Sequence, residues 1–199
     1  MNDEFLRVVT RQRACRSFSA EPVDDDAIGL LLTAATFAPS AENKQPWEFV
    51  VVRDDATRAA IGDLSRRAWE ASGRAFSERR LTPEMLADVD HGATGGVAAA
   101  PVNIVICADV QRGLEATIPS SIFPAVQNLL LTATALGFGS ALTTITTGFR
   151  SEMQAILGLP EHVRPIALVP VGHPARPLGP PRRAPFSEHT HRERYGQAW

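Results

Sequence analysis

The chain has 199 residues, of which 44% are hydrophobic and 21% charged, the profile of a soluble globular protein with enough length for one substantial core. Its formal net charge of -2 leaves no basic field for a nucleic acid and no polybasic patch for a membrane surface. No run approaches the ~20 apolar residues that a membrane span needs.

The opening MNDEFLRVVT is acidic at once and lacks the basic-then-apolar layout of a secretion signal. Cys15 and Cys107 flank no metal-like spacing, so a reduced, cytoplasmic setting is expected. Phe5, Leu6, Val8 and Val9 predict a short amphipathic helix leading into Arg13-Ala14-Cys15-Arg16-Ser17-Phe18. Each guanidinium there is a planar fork of donors that stays charged, suited to phosphate or carboxylate. Two forks one helical turn apart can grip one anion; arginines at a helix end also serve as solvated or ion-paired residues. A second pair, Arg182-Arg183, lies near the C-terminus, and the two pairs form one anion site if the chain ends meet.

Asp24-Asp25-Asp26 predicts a helix start, because acidic side chains suit the positive end of the backbone dipole. Ile28, Leu31, Leu32 and Ala35 then mark one helix face, and Pro39 stops it. The connector Ala38-Pro39-Ser40-Ala41-Glu42-Asn43-Lys44-Gln45-Pro46-Trp47 is a plain turn or a ring-binding loop rich in amide donors and acceptors. Phe49–Val52 predicts a buried strand, residues 56–100 a helix-rich, charged region with a break at Gly92–Gly96, and Val102–Ala108 a second buried strand. Trp69 and Phe76 are expected in the core.

From Ser120 to Leu136 apolar residues fall on nearly every side of the helical wheel, which predicts a helix buried all round. Ser140–Thr147 predicts a third strand, Ser151–Leu157 a short helix and Val163–Val171 a fourth strand. Five prolines after His173 predict an extended arm, with Tyr195 and Trp199 as its anchors. No linker divides the chain, so residues 1–199 are expected to form a single domain. Gly137-Phe138-Gly139 lacks the third glycine of a dinucleotide fingerprint and follows a helix, so arginines must hold any nucleotide-like phosphate. His189-x-His191 has no third ligand nearby and reads as a solvated pair; no metal is expected. Cys15 between two arginines reads as a packed, inert thiol.

Arg13-Ala-Cys-Arg16-Ser-Phe18, Glu21-Pro22-Val23 and Ala38-Pro39-Ser40-x-x-Asn43-x-Gln45-Pro46-Trp47-x-Phe49 resemble the FMN-dependent nitroreductase family. The likeness continues through Ala100-Pro101, Gln127-Asn128-Leu129, Leu136-Gly137-Phe138-Gly139-Ser140, Leu157-Gly158-Leu159-Pro160, Gly172-His173-Pro174 and Arg182-Arg183-x-Pro185. These blocks keep family order over almost the whole chain. The resemblance implies an α+β fold of three α/β/α layers, with a mixed, mainly antiparallel sheet, and a homodimer with FMN at the subunit interface.

By the same resemblance Arg13, Ala14 and Arg16 hold FMN with help from Arg182 or Arg183. Pro39, Ser40 and Ala41 approach it from the other subunit, and Asn43 and Gln45 either join them or fix the loop. Leu142, Thr143, Thr144 and Ile145 lie against the isoalloxazine, with a backbone N–H near Thr144 directed to flavin N5. The implied reaction is ping-pong: NADH or NADPH gives a hydride to N5, leaves, and is replaced by a nitroaromatic or quinone-like acceptor. No side chain is assigned as a general acid. The alternatives are a relative's reduction, such as dehalogenation or alkene reduction, and a flavin binder without turnover. Two departures stand out. Gln12-Arg13-Ala14 replaces a common Arg-Arg-Ser, and Glu42 replaces a frequent glycine, placing a carboxylate in the loop near the flavin.

Overall fold

A computed structural model describes residues 3–199; Met1 and Asn2, where the reading of the N-terminus begins, lie outside the described residues. Helix α1 (Asp3–Arg11) is amphipathic but leaves Phe5, Leu6 and Val9 exposed. Helix α2 (Asp25–Thr36) begins where Asp24 Oδ1 accepts the Ala27 N–H at 2.6 Å, supplying a partner to an otherwise orphaned donor. It buries Ala27, Ile28, Leu31 and Ala35, the stripe its spacing predicts, and ends three residues before Pro39.

Strand β1 (Trp47–Val52) leads to helix α3 (Asp55–Ala68), capped by Asp54. The helix-rich region is then interrupted twice. A wide π turn at Trp69–Gly73 leads into α4 (Arg74–Glu78), and after a bend α5 (Pro83–His91) returns to a second π turn at Gly92–Gly96 and the short α6 (Val97–Ala99). The glycine run therefore widens the helix instead of breaking it.

Strand β2 (Val102–Asp109) is buried along its whole length, pairing antiparallel with β1 and with β4 (Val163–Gly172). With β3 (Gly139–Ser140) at one edge, the sheet order is β1-β2-β4-β3, every ladder antiparallel. Alternation along β2 builds two cores. Val102, Ile104, Ile106 and Ala108 face α2 and α7 (Ile118–Ala135), whereas Val105 and Cys107 face α3 and α8 (Arg150–Leu157). A bulge in β4 opposite Ile106/Cys107 reverses the parity, so Val163 and Leu168 reach the same core. Pro165 sits beside that bulge, where a central strand tolerates a residue without an N–H. The result is the expected α+β, three-layer architecture, with a four-stranded sheet that is antiparallel throughout rather than mixed.

Three further expectations fail. Helix α7 buries one stripe, Ile118, Ile122, Ala125, Val126, Leu129 and Ala133, while Phe123 and Leu136 are exposed. Strand β3 is only Gly139–Ser140. Beyond it Thr143 makes a lone bridge to Leu168, and Ile145–Phe149 turns into a 3₁₀ helix. Threonine hydroxyls engage the nearby backbone there: Thr143 Oγ1 accepts the Ile145 N–H and Thr147 Oγ1 donates to the Thr144 carbonyl, which competes with a ladder. In the C-terminal arm, Tyr195 and Trp199 are exposed, and their aromatic partners among the described residues, His191 for Tyr195 and Phe186 and Arg192 for Trp199, belong to the arm itself, so the rings do not anchor it to the body of this chain. Among the described residues no helix is long and apolar enough to cross a membrane.

Candidate active site

The chain leaves α1 as an extended strand-like segment. Ala14 bridges Ser140, and the Cys15 N–H donates to the Ser140 carbonyl at 2.9 Å. Arg13 and Arg16 are thus not a helical turn apart, as expected from the helix upstream; sheet-edge pairing straightens the segment. The C-terminal arm runs back along it: the Ser19 N–H donates to the His173 carbonyl, the Ala175 N–H to the Ser17 carbonyl, and Arg13 Nη1 to the Gly179 carbonyl at 3.0 Å. The two chain ends meet.

Their meeting encloses a cavity of about 690 Å³ lined by Gln12, Arg13, Ala14 and Arg16 from the N-terminal segment and Arg182 and Arg183 from the arm. Helix α5 adds Glu84 and Asp88, one turn apart. Four guanidiniums thus face two carboxylates. The excess of positive charge matches a phosphate monoester, which carries ~-1.5 to -2 near pH 7. Burial, the dominant influence, pushes the Cys15 thiol up despite the flanking arginines, so it is a packed thiol between them and does not line this cavity.

Arg16 also lines a second, smaller cavity of about 90 Å³ beneath Leu142, Thr143 and Ile145. The second π turn wraps the Arg16 stem closely. A Cβ on Gly92 would stand 2.5 Å from Arg16 Cδ, and one on Gly96 would collide with the Arg16 carbonyl oxygen, so both positions require glycine. The opposite wall carries Ser65 Oγ, fully buried and without a hydrogen-bond partner. The Thr144 N–H likewise has no protein acceptor among the described residues. Trp69 closes this region from inside the core, its Nε1–H donating to Asp90 Oδ1 at 2.8 Å. Phe76, expected in the core, is exposed on α4 and stacks only with Arg80.

The remaining sequence-predicted residues lie elsewhere. Pro39, Ser40, Ala41, Asn43 and Gln45 precede Trp47, which pairs with Ala108 at the far end of β2, whereas the arginine cavities adjoin the Val102–Val171 end. Six residue steps of strand, from Val102 to Ala108, separate the two ends, ~20 Å at ~3.3 Å per residue. The loop closes on itself. Ser40 Oγ accepts the Gln45 N–H at 3.0 Å, Ser121 Oγ accepts the Ala41 N–H at 3.1 Å, and Gln45 Nε2 donates to Asn43 Oδ1 at 3.1 Å. Asn43 and Gln45 therefore fix the loop within this chain. Glu42, Asn43 and Gln45 adopt φ of 53°, 54° and 49°, a left-handed conformation that costs each ~1–2 kcal/mol. Such clustered strain marks functional segments.

Sequence reasoning did not find Glu84, Asp88, Gly92, Gly96 or Ser65 as parts of these cavities. Glu84 and Asp88 sit in an acidic helix that also carries Asp90, and nothing local links Asp88 to Arg16, 72 positions away. The glycine run was visible, but only the packing shows which side chain it admits.

The fold and this arrangement define a class. The chain belongs to the nitroreductase family, whose model matches residues 9–173. Over 192 residues it is 32% identical to an NADH dehydrogenase of Thermus thermophilus, covering 88% of this chain and 89% of that one. It is 31% identical to an iodotyrosine deiodinase of Haliscomenobacter hydrossis, covering 86% of this chain and 80% of the other. A structure from Desulfovibrio desulfuricans, described as a nitroreductase in complex with FMN, superposes with a TM-score of 0.74 at 27% identity, covering 96% of this chain and 97% of that one.

Proposed function

We propose that the protein is an FMN-dependent oxidoreductase that takes a hydride from NADH or NADPH and passes it to an electron-poor acceptor such as a nitroaromatic or a quinone. The single observation that carries this reading is the convergence of Arg13, Arg16, Arg182 and Arg183 from both chain ends on one cavity next to the Leu142–Ile145 loop. A phosphate matches that cavity by charge, and the adjoining Leu142–Ile145 loop offers a planar ring an apolar face and the Thr144 N–H, which has no acceptor among the described residues.

The residues have distinct parts in this reading. The four guanidiniums hold the phosphate through charge-assisted bonds, each stronger than a neutral hydrogen bond. Ala14, lacking a hydroxyl, leaves backbone and space against it. Leu142, Thr143 and Ile145 form an apolar and β-branched wall that orients the ring and excludes water, and the Thr144 N–H is the donor available to N5. When bound, FMN supplies the two-electron carrier; no side chain of this chain is needed as an acid.

The distance between the half-sites supports a homodimer. Pro39, Ser40 and Ala41 cannot reach the arginine cavity of their own chain, so they serve that of a second copy. Exposed apolar side chains on α1, α2 and α7 (Phe5, Leu6, Val9, Leu30 and Phe123) and Leu136 at the end of α7 provide an interface. The two free cysteines accord with the cytoplasm. The likeness to the deiodinase supports a second reading in which the same flavin reduces a carbon–halogen bond.

Anaerobic addition of NADH or NADPH to the FMN-loaded protein, with its mass measured in solution, tests the proposal. Rapid bleaching of flavin absorbance by a dimer with one FMN per chain is expected. A flavin that stays oxidised makes the protein a passive binder, and a monomer that ignores FMN overturns the reading. Products from a panel of nitroaromatic, quinone and halogenated acceptors separate the two reductions.

A further inference from the structure

The Arg16 guanidinium has one partner among the described residues. Its Nη1 lies 2.6 Å from Asp88 Oδ2 on α5. The side chains are 24% and 34% exposed, so this pair is better shielded than an ordinary surface pair. The rest of the side chain is equally confined. Gly92 and Gly96 press on its stem and carbonyl, and the cavity walls bound its tip. One nitrogen is committed to Asp88. A guanidinium carries five N–H donors, so its other edge remains for an anion. Arg13 is held differently, by a backbone carbonyl of the arm, and Arg182 and Arg183 pair with no carboxylate among the described residues. Arg16 is the one arginine of the cavity whose direction is set by an ion pair.

Asp88 carries a cost in that place. It faces the same cavity as Glu84, and a carboxylate there repels a phosphate. Glu84 pairs with no cation among the described residues, whereas Asp88 is paired. Two acids on one helix face, four residues apart, thus stand in opposite relations to the cavity: one offers charge alone, the other aims a donor.

We propose that Asp88 is a positioning residue for the cofactor phosphate: it aims the free edge of Arg16 into the cavity, so that phosphate affinity depends on α5 being docked. The inference rests on the FMN reading above. It makes the α4–α5 hairpin part of cofactor binding, although that hairpin is remote in sequence from every predicted phosphate ligand.

Comparison of FMN with riboflavin, which lacks the phosphate, tests it on full-length apoprotein, with flavin fluorescence quenching as the readout. The wild type binds FMN more tightly than riboflavin. Asp88→Asn weakens FMN about tenfold, the scale of one charge-assisted bond made poorly, and leaves riboflavin within twofold. Asp88→Glu, which keeps a carboxylate for Arg16, recovers part of the lost discrimination. Glu84→Gln, which removes an unpaired charge from the cavity, tightens FMN. The proposal is overturned if Asp88→Asn binds FMN as tightly as the wild type or more so, because the carboxylate then acts as a repelling charge or not at all. It is equally overturned if both flavins weaken together, because the pair then only supports the fold. A wild type that binds neither flavin, or both equally, brings down the phosphate reading itself and this inference with it.

Discussion

The two halves of the candidate site are built by opposite means. The arginine half joins residues from the two ends of the chain and from α5; its backbone is extended and unstrained, and its cohesion is electrostatic. The Pro39–Gln45 half is local. Its hydrogen bonds stay within a few residues or reach one serine of α7, and three of its residues hold left-handed backbone conformations. The first recognises charge and tolerates small shifts, because guanidiniums are long and adjustable. The second presents a fixed shape, for which the chain accepts strain. A cofactor with an anionic tail and a rigid ring needs one of each.

The largest effect tests the electrostatic half. Arg13→Ala combined with Arg16→Ala removes two of four guanidiniums, and FMN affinity falls at least ~100-fold at 1.5–3 kcal/mol per charge-assisted bond. The protein then purifies colourless; full flavin occupancy in the purified double variant refutes the assignment. Gly96→Ala probes the same half through packing. Its added methyl group meets the Arg16 carbonyl oxygen, a backbone atom that cannot swing aside. Urea unfolding is expected to show a loss of ~1–3 kcal/mol, with FMN affinity lowered as well. An unchanged midpoint shows that the π turn yields freely.

The smallest effect belongs to the strained half. Glu42→Gly relieves a left-handed residue and is expected to stabilise the protein by ~1 kcal/mol at most, since glycine's greater freedom in the unfolded chain offsets part of the gain. Thermal or urea unfolding measures it. Destabilisation by this change means that the carboxylate, which lies 3.7 Å from Lys44 Nζ, contributes more than the strain costs.

Helix α2 was legible because its cap, its stripe and its stop all act within one short stretch, from Asp24 to Pro39. Strand β2 was legible because a fully buried strand reads as a near-continuous apolar run, here interrupted only by Asn103 between Val102 and Ala108. The Ser140–Thr147 segment was misread for a related reason. β-branched residues favour a pleated surface, but a strand also needs a partner, and their hydroxyls bonded to the local backbone instead. Helix α7 was misread because an apolar composition states what prefers burial, not what covers it within one chain.

Residue identity along the chain already dictated the α/β alternation, the buried strands and the presence of arginine pairs at both ends. These are consequences of short-range preference and hydrophobic periodicity. Only the folded arrangement decided that the arm lies along residues 17–19, that Asp88 meets Arg16, and that the Pro39–Gln45 loop stands a sheet's length from the arginines. Those juxtapositions depend on strand register and helix packing. They are set by the cooperative burial of two cores rather than by any local pattern.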